Sequence, residues 1–483
     1  MKTKTTEPVR KKPSLAYALF ALFGVLVIIL GATKLVNAPI HLMFFLIWLF
    51  VLPVSMHLGY TYNEINEAMM ENCKKGLGPI LLLMAVGAVI ATWIACGAVP
   101  SIIYIGLKII RPDIFLLAAF LLCVMVSLAC GTSWATAGTA GLAMFAIGES
   151  MGVPSGMTVG AIISGSFLGD MLSPMSDSTN VAAAAVDTDL ITHCKQLSYI
   201  VFPSFLITGA TYYILGLRFA NDAFDDSYLQ SICSALSSYF HINFVAFIPV
   251  IVLLALLVLK KPAVPSMLIS SLVACVVAVA YQGVELNNIL PYMWNGYSIT
   301  TGQEFLDKLL NRGGVTSMFN TGMLMLYAFG MVGAYNVTGI LDAIISPVAE
   351  WANSVRKLTF ASEAIALIGN IMGTNTFSLL MTGSLMMPAY KKFHLHPTNC
   401  SKAINATSTV IAPLIPWNIA GMYIDGLFGV STLAFAPYSF LCYITPVVAF
   451  LMVCFNYRVI PDTVDLEHGE KYVSPRKAKK SSV

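Results

Sequence analysis

Long apolar runs separated by short polar connections dominate the pattern along this chain. Runs of about 20 apolar residues are the length that an α-helix needs to cross a bilayer, and they recur along almost the whole sequence. Two further stretches, at about 131–190 and 373–430, mix apolar residues with many Gly, Ser, Thr, Asn and Pro. The predicted spanning helices cover about 14–35, 38–58, 77–97, 112–130, 193–216, 243–259, 263–282, 320–345, 358–372 and 434–457.

The composition narrows the class of protein. Of the 483 residues, 57% are hydrophobic and 11% are Asp, Glu, Lys or Arg, whereas a soluble domain carries about 25% charged residues. This excludes a soluble enzyme, a secreted disulfide-rich protein and a nucleic-acid-binding protein. The ten cysteines are scattered without a Cys-x-x-Cys or Cys/His cluster, so we expect no cofactor. The sequence has no recognisable nucleophile with a base and no ATP-binding Gly-rich loop with Lys, so we expect a gradient-driven transporter rather than an enzyme.

The chain repeats itself at an offset of 242 residues. Matched pairs at this offset are Gly97 and Gly339, Gly131 and Gly373, Thr132 and Thr374, Gly141 and Gly383, Met144 and Met386, and Pro174 and Pro416. Lys and Arg number five before residue 14, one between 218 and 242, and six from residue 458 onward. Because Lys-rich and Arg-rich loops stay in the cytoplasm, equivalent helix ends are predicted to face opposite sides. The fold class is therefore predicted as an all-α polytopic membrane protein of two inverted repeats with discontinuous helices, an architecture used for alternating access.

This pattern also predicts the organisation of the chain in the membrane. We expect a multi-pass protein of the inner membrane with both termini in the cytoplasm, its main partner being the lipid bilayer; a homodimer is compatible with this. Two amphipathic segments, Tyr62–Gly76 and Gln303–Gly314, are interpreted as surface helices. The predicted parts are a cytoplasmic N-tail 1–13, a first repeat 14–217, an extracytoplasmic loop 218–242, a second repeat 243–459 and a cytoplasmic C-tail 460–483.

The densest polar run of the first repeat is GDMLSPMSDSTN, from Gly169 to Asn180. Pro174 forbids a continuous helix, and a broken helix at mid-membrane exposes carbonyls and helix ends that can hold Na⁺. A carboxylate at this depth costs about 2.5–3.5 kcal/mol, so it is retained for a function or a partner. We predict a Na⁺ site formed by Asp170, Asp177 and Asn180; the alternative is an ordinary interfacial loop in which Asn180 caps the next helix. The full predicted set for ion and proton binding is Asp170, Ser173, Ser176, Asp177, Thr179 and Asn180.

Further polar positions predict a substrate path. In GTSWATAGTAG, from Gly131 to Gly141, hydroxyls could face a cavity, or the small residues could simply let helices approach closely. The matching places in the second repeat are neutral, and Trp417 could equally be an interfacial anchor. His193 is interpreted as a solvated residue at a helix end, and Thr188 or Asp189 as the cap of that helix. The predicted substrate-path residues are Thr132, Ser133, Thr136, Thr374, Asn375, Asn405, Trp417 and Asn418.

GTSWATAGTAG, SGSFLGDMLSPMSDSTNVA and PLIPWN together resemble the NhaC-type Na⁺/H⁺ antiporter family, from about residue 15 to 457. The resemblance implies a secondary transporter with Na⁺ as the coupling ion, with Na⁺ and H⁺ as partners, and with Asp170, Asp177 and their polar neighbours on the ion path. Three positions depart from the family pattern, which has Lys where this chain has Met171, and acidic residues where it has Asn405 and Ala406. Since these charges are absent together, Na⁺- or H⁺-coupled transport of a small organic solute, such as an amino acid or carboxylate, stands as the alternative to Na⁺/H⁺ antiport.

Overall fold

The apolar runs form α-helices, because only a helix or a closed barrel pairs every backbone group inside hydrocarbon. The computed structural model describes residues 10–35, 40–219, 226–259, 261–302, 306–307, 310–464 and 466. Over these residues the protein is all-helical, with a single isolated bridge between Leu395 and Pro461. The all-α fold class predicted from the sequence is confirmed.

The first half of the chain begins with a helical pair and continues into a 34-residue helix, α3. A π turn at Ala137–Gly141 lies between α6 and α7. The helices of this half are α1 (Leu15–Leu35), α2 (Ile40–His57), α3 (Tyr62–Ala95), α4 (Ala98–Ile109), α5 (Pro112–Cys130), α6 (Ser133–Thr136), α7 (Leu142–Ser150), α8 (Ser155–Leu172), α9 (Asp177–Ala184) and α10 (Leu190–Gly216).

The second half follows a connecting segment that contains α11 (Asp226–Tyr239). Short 3₁₀ turns at Leu217–Phe219, Phe244–Phe247, Val315–Met318, Ala412–Leu414 and Ala436–Tyr438 precede or follow several helices. The helices of this half are α12 (Ile248–Val258), α13 (Ala263–Tyr281), α14 (Leu286–Asn295), α15 (Phe319–Val337), α16 (Ile340–Glu350), α17 (Val355–Met372), α18 (Asn375–Lys392), α19 (Thr398–Ile411), α20 (Ile419–Phe428), α21 (Thr432–Phe435) and α22 (Phe440–Cys454).

Local structure recurs at the 242-residue offset. Gly97 and Gly339 both adopt a left-handed conformation, with φ of 80° and 70°, immediately before α4 and α16. Ser176 and Asn418 are both N-caps, of α9 and α20, and each side chain accepts a hydrogen bond from the backbone two residues on. The order of elements thus repeats along the chain, while the opposite orientation of the two halves remains a prediction.

Several described helices are long and apolar enough to span a bilayer. By length and composition these are five continuous helices, and up to eight spans if each of three bent pairs is one span. One bent pair is α19 with its 3₁₀ turn and α20, which meet at 43° across a short break that contains Pro416. The predicted discontinuous helix of the second repeat is therefore present, and the protein is a multi-pass membrane protein.

The interpretation of Tyr62–Gly76 as a separate surface helix is wrong. These residues form the first part of α3, which continues without a break to Ala95 and packs along α15. The other amphipathic segment, Gln303–Gly314, lies partly outside the described residues. Its described end approaches α3, where the Gly314 N–H donates to the Gly87 carbonyl at 2.7 Å.

Asp189 caps α10, as the sequence predicts. Its side chain accepts a hydrogen bond from the Thr192 N–H at 2.7 Å, and hydrogen bonds from the Thr192 backbone lower the pKa of this carboxyl below its usual value. The bond pairs a backbone donor that the first turn of a helix otherwise leaves free.

We expect Asp189→Ala to lower the free energy of unfolding by about 1 kcal/mol, and Asp189→Asn to retain most of that stability. Because the pKa is lowered on folding, the carboxylate stabilises the protein above its unfolded pKa, and the contribution disappears as the pH falls through the folded value. Thermal melts in detergent at neutral and acidic pH measure this. A melt of Asp189→Ala equal to wild type at neutral pH would contradict it.

Candidate ion-binding cavity

A cavity of about 520 Å³ lies where both halves of the chain present irregular backbone. Its wall contains the end of α8, the start of α9 and the two breaks that precede α18 and α20. A larger groove between α10 and α22 is lined mainly by apolar side chains such as Phe202 and Leu451. Both carboxylates and two of the amides that were predicted from the sequence to bind ions or substrate line the cavity, and none of them lines the groove.

Asp170 is the buried carboxylate of the cavity wall. It lies in the last turn of α8 and is 7% exposed. Its Oδ2 accepts a hydrogen bond from Ser133 Oγ at 2.7 Å, and its Oδ1 accepts one from Ser176 Oγ. No cation of the described residues forms an ion pair with it. A carboxylate held by neutral groups, with no cationic partner among the described residues, is available to a mobile cation or a proton.

The break between α8 and α9 is fixed by hydroxyl groups. Thr179 Oγ1 lies 3.1 Å from the Asp170 carbonyl and 3.0 Å from the Met171 carbonyl, so its one proton is shared between them. These carbonyls belong to the end of a helix, which carries partial negative charge. Asp177 begins α9, lines the cavity and is exposed, so it marks the mouth while Asp170 lies deeper.

The second half supplies amides rather than acids. Asn418 is buried, and its Nδ2 donates to the carbonyls of Asn370 at 2.9 Å and Gly373 at 3.0 Å, so it joins the start of α20 to the end of α17. Thr374 caps α18 through its Oγ1, which accepts from the Phe377 N–H at 3.1 Å. These two residues and Asn375 line the cavity, which is neutral on this side.

The structure brings some of the predicted residues to the cavity and leaves others outside its wall. Asp170, Asp177, Thr132, Thr374, Asn375 and Asn418 line it, and Ser133 and Ser176 bind Asp170. The remaining six make internal contacts. Their contacts are Ser173 with the Leu128 carbonyl, Thr179 with the end of α8, Thr136 with the Thr132 carbonyl, Asn180 with the Pro174 and Ser176 carbonyls, Asn405 with His193, and Trp417 with the Ile371 carbonyl.

The polar wall residues contributed by α3 were not predicted from the sequence. Asn72 is buried and donates to the Phe329 carbonyl at 2.7 Å, while Lys75 is exposed and lines the cavity. With Pro79 they occupy positions i, i+3 and i+7 of α3, which is one face of a helix. That spacing was the available signal, but the surrounding Glu and Lys residues favoured a solvated surface helix.

The environments of His193 and Glu363 were also not predicted from the sequence. His193 is fully buried rather than solvated, because α19 of the other half covers it. Glu363 lies on α17, outside the cavity wall, and its Oε1 has no hydrogen-bond partner among the described residues. Glu363 as a whole is half-buried. Ionisable groups away from water in membrane proteins are rare and commonly functional, so substitutions at both positions are informative.

Gly131 allows the chain to turn into the cavity wall. It adopts a left-handed φ of 72° between α5 and α6, and an added Cβ would lie 2.7 Å from the Met175 Cβ and 3.1 Å from Ser173 Oγ. Such a residue meets both backbone strain and crowding.

We expect Gly131→Ala to destabilise the protein by about 2 kcal/mol and to reduce transport, since it disturbs the wall beside Asp170. Gly31→Ala is the control, because Gly31 lies within α1 and a methyl group added there would meet no other atom of the described residues within 4 Å. That change should be neutral or slightly stabilising. Thermal melts and vesicle flux are measured for both variants. Equal changes in melting temperature and flux for Gly131→Ala and Gly31→Ala would contradict the role of the Gly131 turn.

Comparison with known proteins identifies the family. The model of the Na⁺/H⁺ antiporter family matches residues 165–457. The chain belongs to the Na⁺/H⁺ antiporter family. The matched region includes Asp170, the α8–α9 break and all of the second half from α12 to α22.

The names of the similar proteins specify different transported ions and solutes. The chain is 35% identical to a malate-2H⁺/Na⁺-lactate antiporter of Bacillus subtilis, over 89% of this chain and 92% of that protein. It is 29% identical to the Na⁺/H⁺ antiporter NhaC of Alkalihalophilus pseudofirmus, over 92% and 96%. It is also 29% identical to the arginine/ornithine antiporter ArcD of Halobacterium salinarum, over 82% of each chain. This family member is therefore a cation-coupled secondary transporter.

Proposed function

We propose that the protein exchanges Na⁺ for H⁺ across the inner membrane, with Asp170 as the group that binds either ion. The observation that carries this proposal is the environment of Asp170: a buried carboxylate at a helix end, bonded to two hydroxyls and to no fixed cation of the described residues. Na⁺ is bound in transporters by such oxygens and by carbonyls at helix breaks. Since one carboxylate cannot hold a proton and coordinate Na⁺ at once, loading of one ion requires release of the other.

The geometry also supports alternating access, the mechanism expected of two inverted repeats. Lys75 and Asp177, both exposed, mark one end of the cavity. Near the far end of α3, Arg312 pairs with Glu149 at 3.2 Å and stacks over Phe145, which joins the two halves. Since both halves of the chain contribute to the cavity wall, a change in their relative orientation would alter access to Asp170. Cytoplasmic termini and a homodimer remain predictions.

Reconstituted vesicles with an internal pH dye test this function. We expect external Na⁺ alone to cause proton movement in wild-type vesicles, with no response in protein-free vesicles. Addition of an ionophore that collapses the proton gradient must abolish the response. Silence of the wild type with Na⁺ alone would overturn Na⁺/H⁺ exchange as the complete function.

Transport of a small organic solute is the second candidate, and the size and charge of the cavity favour it. A volume of about 520 Å³ far exceeds the space of one Na⁺, since a water molecule occupies about 30 Å³. Lys75 adds a fixed positive charge that can bind a carboxylate. The named cargoes of the malate/lactate and arginine/ornithine antiporters are of this size class.

The same vesicles separate the two candidates. A panel of carboxylates and amino acids is added with Na⁺, and Lys75→Gln is compared with wild type. Solute-dependent flux that Lys75→Gln weakens would establish an organic cargo bound through Lys75. Proton flux that is the same with and without every solute, and that Lys75→Gln does not change, would support exchange of Na⁺ and H⁺ alone.

A further inference from the structure

A line of hydrogen bonds connects buried His193 to the other half of the chain. His193 lies on α10 and is fully buried. Its Nδ1 lies 2.8 Å from Ser401 Oγ, and its Nε2 lies 3.0 Å from Asn405 Nδ2. Both partners belong to α19, so the imidazole bridges the two halves through neutral groups.

From Asn405 the line continues to the cavity. Asn405 Oδ1 accepts a hydrogen bond from Thr409 Oγ1 at 2.6 Å, one helical turn further along α19. Thr409 Oγ1 lies 3.4 Å from Nδ2 of Asn375, a residue of the cavity wall. The Oδ1 of Asn375 accepts a second bond, from Ser408 Oγ at 2.7 Å.

The hydrogen bonds of this line all run in one direction, with each donor on the side of the cavity and each acceptor on the side of His193. A threonine hydroxyl has one proton, and Thr409 gives it to Asn405, so Thr409 must accept from Asn375. Asn405 then offers its N–H to His193 Nε2, which leaves the imidazole neutral with its proton on Nδ1, directed at Ser401. The assignment of amide and ring atoms follows from this network of bonds.

We propose that His193 is a positioning residue for transport: through Asn405 and Thr409 it holds the Asn375 amide of the cavity wall in one orientation. An amide that turns over exchanges an oxygen for an N–H group, and only the oxygen can coordinate a cation. This inference rests on the proposed function, because it concerns the cavity through which the ion is moved. Its prediction is a change in KM with little change in maximal rate.

Two substitutions of one side chain separate the two bonds of the imidazole. The terminal amide of His193→Gln reaches the place of Nε2, so it can restore the bond to Asn405. The shorter amide of His193→Asn reaches the place of Nδ1, so it can restore only the bond to Ser401. Both variants are neutral and polar, and therefore they control for burial of a polar group.

Proton flux in vesicles is measured against Na⁺ concentration for these variants, with His193→Leu, Thr409→Val and Ser401→Ala. We expect KM to rise about five-fold, the effect of one hydrogen bond, in His193→Leu, His193→Asn and Thr409→Val, with maximal rates within about two-fold. His193→Gln and Ser401→Ala should keep a KM near wild type. The double variant His193→Leu/Thr409→Val should equal either single one, because both break the same line.

Equal KM values for His193→Gln and His193→Asn, or an unchanged KM in Thr409→Val, would overturn the proposal. Thermal melts of each variant identify one that fails to fold, and Thr409→Val, which keeps side-chain shape, then decides alone. If the wild-type protein needs an organic solute for flux, then Na⁺/H⁺ exchange is not its function. In that case the KM of each variant is measured for that solute, and the same order of KM values is expected. The two failures are thus distinguishable.

Discussion

We expect Asp170→Asn to abolish Na⁺-driven proton flux, to the level of protein-free vesicles, while the protein still folds. An amide keeps the hydrogen bonds to Ser133 and Ser176 in altered form but cannot hold a proton for exchange. Removing a buried charge that has no cationic partner among the described residues is not expected to destabilise the fold, since burying such a charge is costly. The measurements are vesicle flux and a thermal melt in detergent with and without Na⁺. The stabilisation that Na⁺ gives to wild type should disappear.

Matched variants make this result specific. Asp342→Asn makes the same chemical change at an exposed position on α16 and should leave flux unchanged. Glu363→Gln removes the half-buried carboxylate of α17, which lies outside the cavity wall. Loss of flux in Glu363→Gln with full flux in Asp170→Asn would move the proton-binding site from α8 to α17.

Asn418→Ala is expected to have the largest effect on stability. The change removes hydrogen bonds to two buried carbonyls, of Asn370 and Gly373, and the cap of α20 at the Ala420 N–H. Unpaired buried groups and a lost cap together cost about 2–4 kcal/mol. Transport should fall as well, because the α19–α20 break forms part of the cavity wall.

Thermal melting in detergent measures the change, with Asn288→Ala as the control. Asn288 is exposed on α14, and its side chain bonds to the nearby Glu285 side chain, so its replacement should shift the melt little. Similar melts for both variants would show that the Asn418 bonds do not hold the break together.

The sequence predicted the polar breaks well because their chemistry is local. Pro174 and Pro416 cannot continue a helix, and the hydroxyls and amides beside them have few other uses in an apolar chain. Asp170 and Asp177 were found by the same argument, and both line the cavity. Their role in ion binding stays a prediction until the flux of Asp170→Asn is known.

The rest depended on contacts between distant parts of the chain. Asn72 reaches the Phe329 carbonyl across 257 residues, and His193 meets Asn405 across 212 residues. A polar helix segment beside Lys and Glu has the same composition whether water or α15 covers it. Burial of these groups could not be predicted without the packing of the two halves against each other.

The π turn at Ala137–Gly141 makes the two halves of the chain differ in winding although the segments compared have equal length. Gly131 to Met144 and Gly373 to Met386 contain the same number of residues, but only the first winds through hydrogen bonds of the i to i+5 type. Wider winding turns the side chains of α7 away from the directions of their counterparts in α18. A chimaera with residues 375–392 in place of 133–150 would keep its length and present the wrong faces to its neighbours. Equivalent helices of the two halves therefore match in length but not in the faces that they present, so one cannot replace the other.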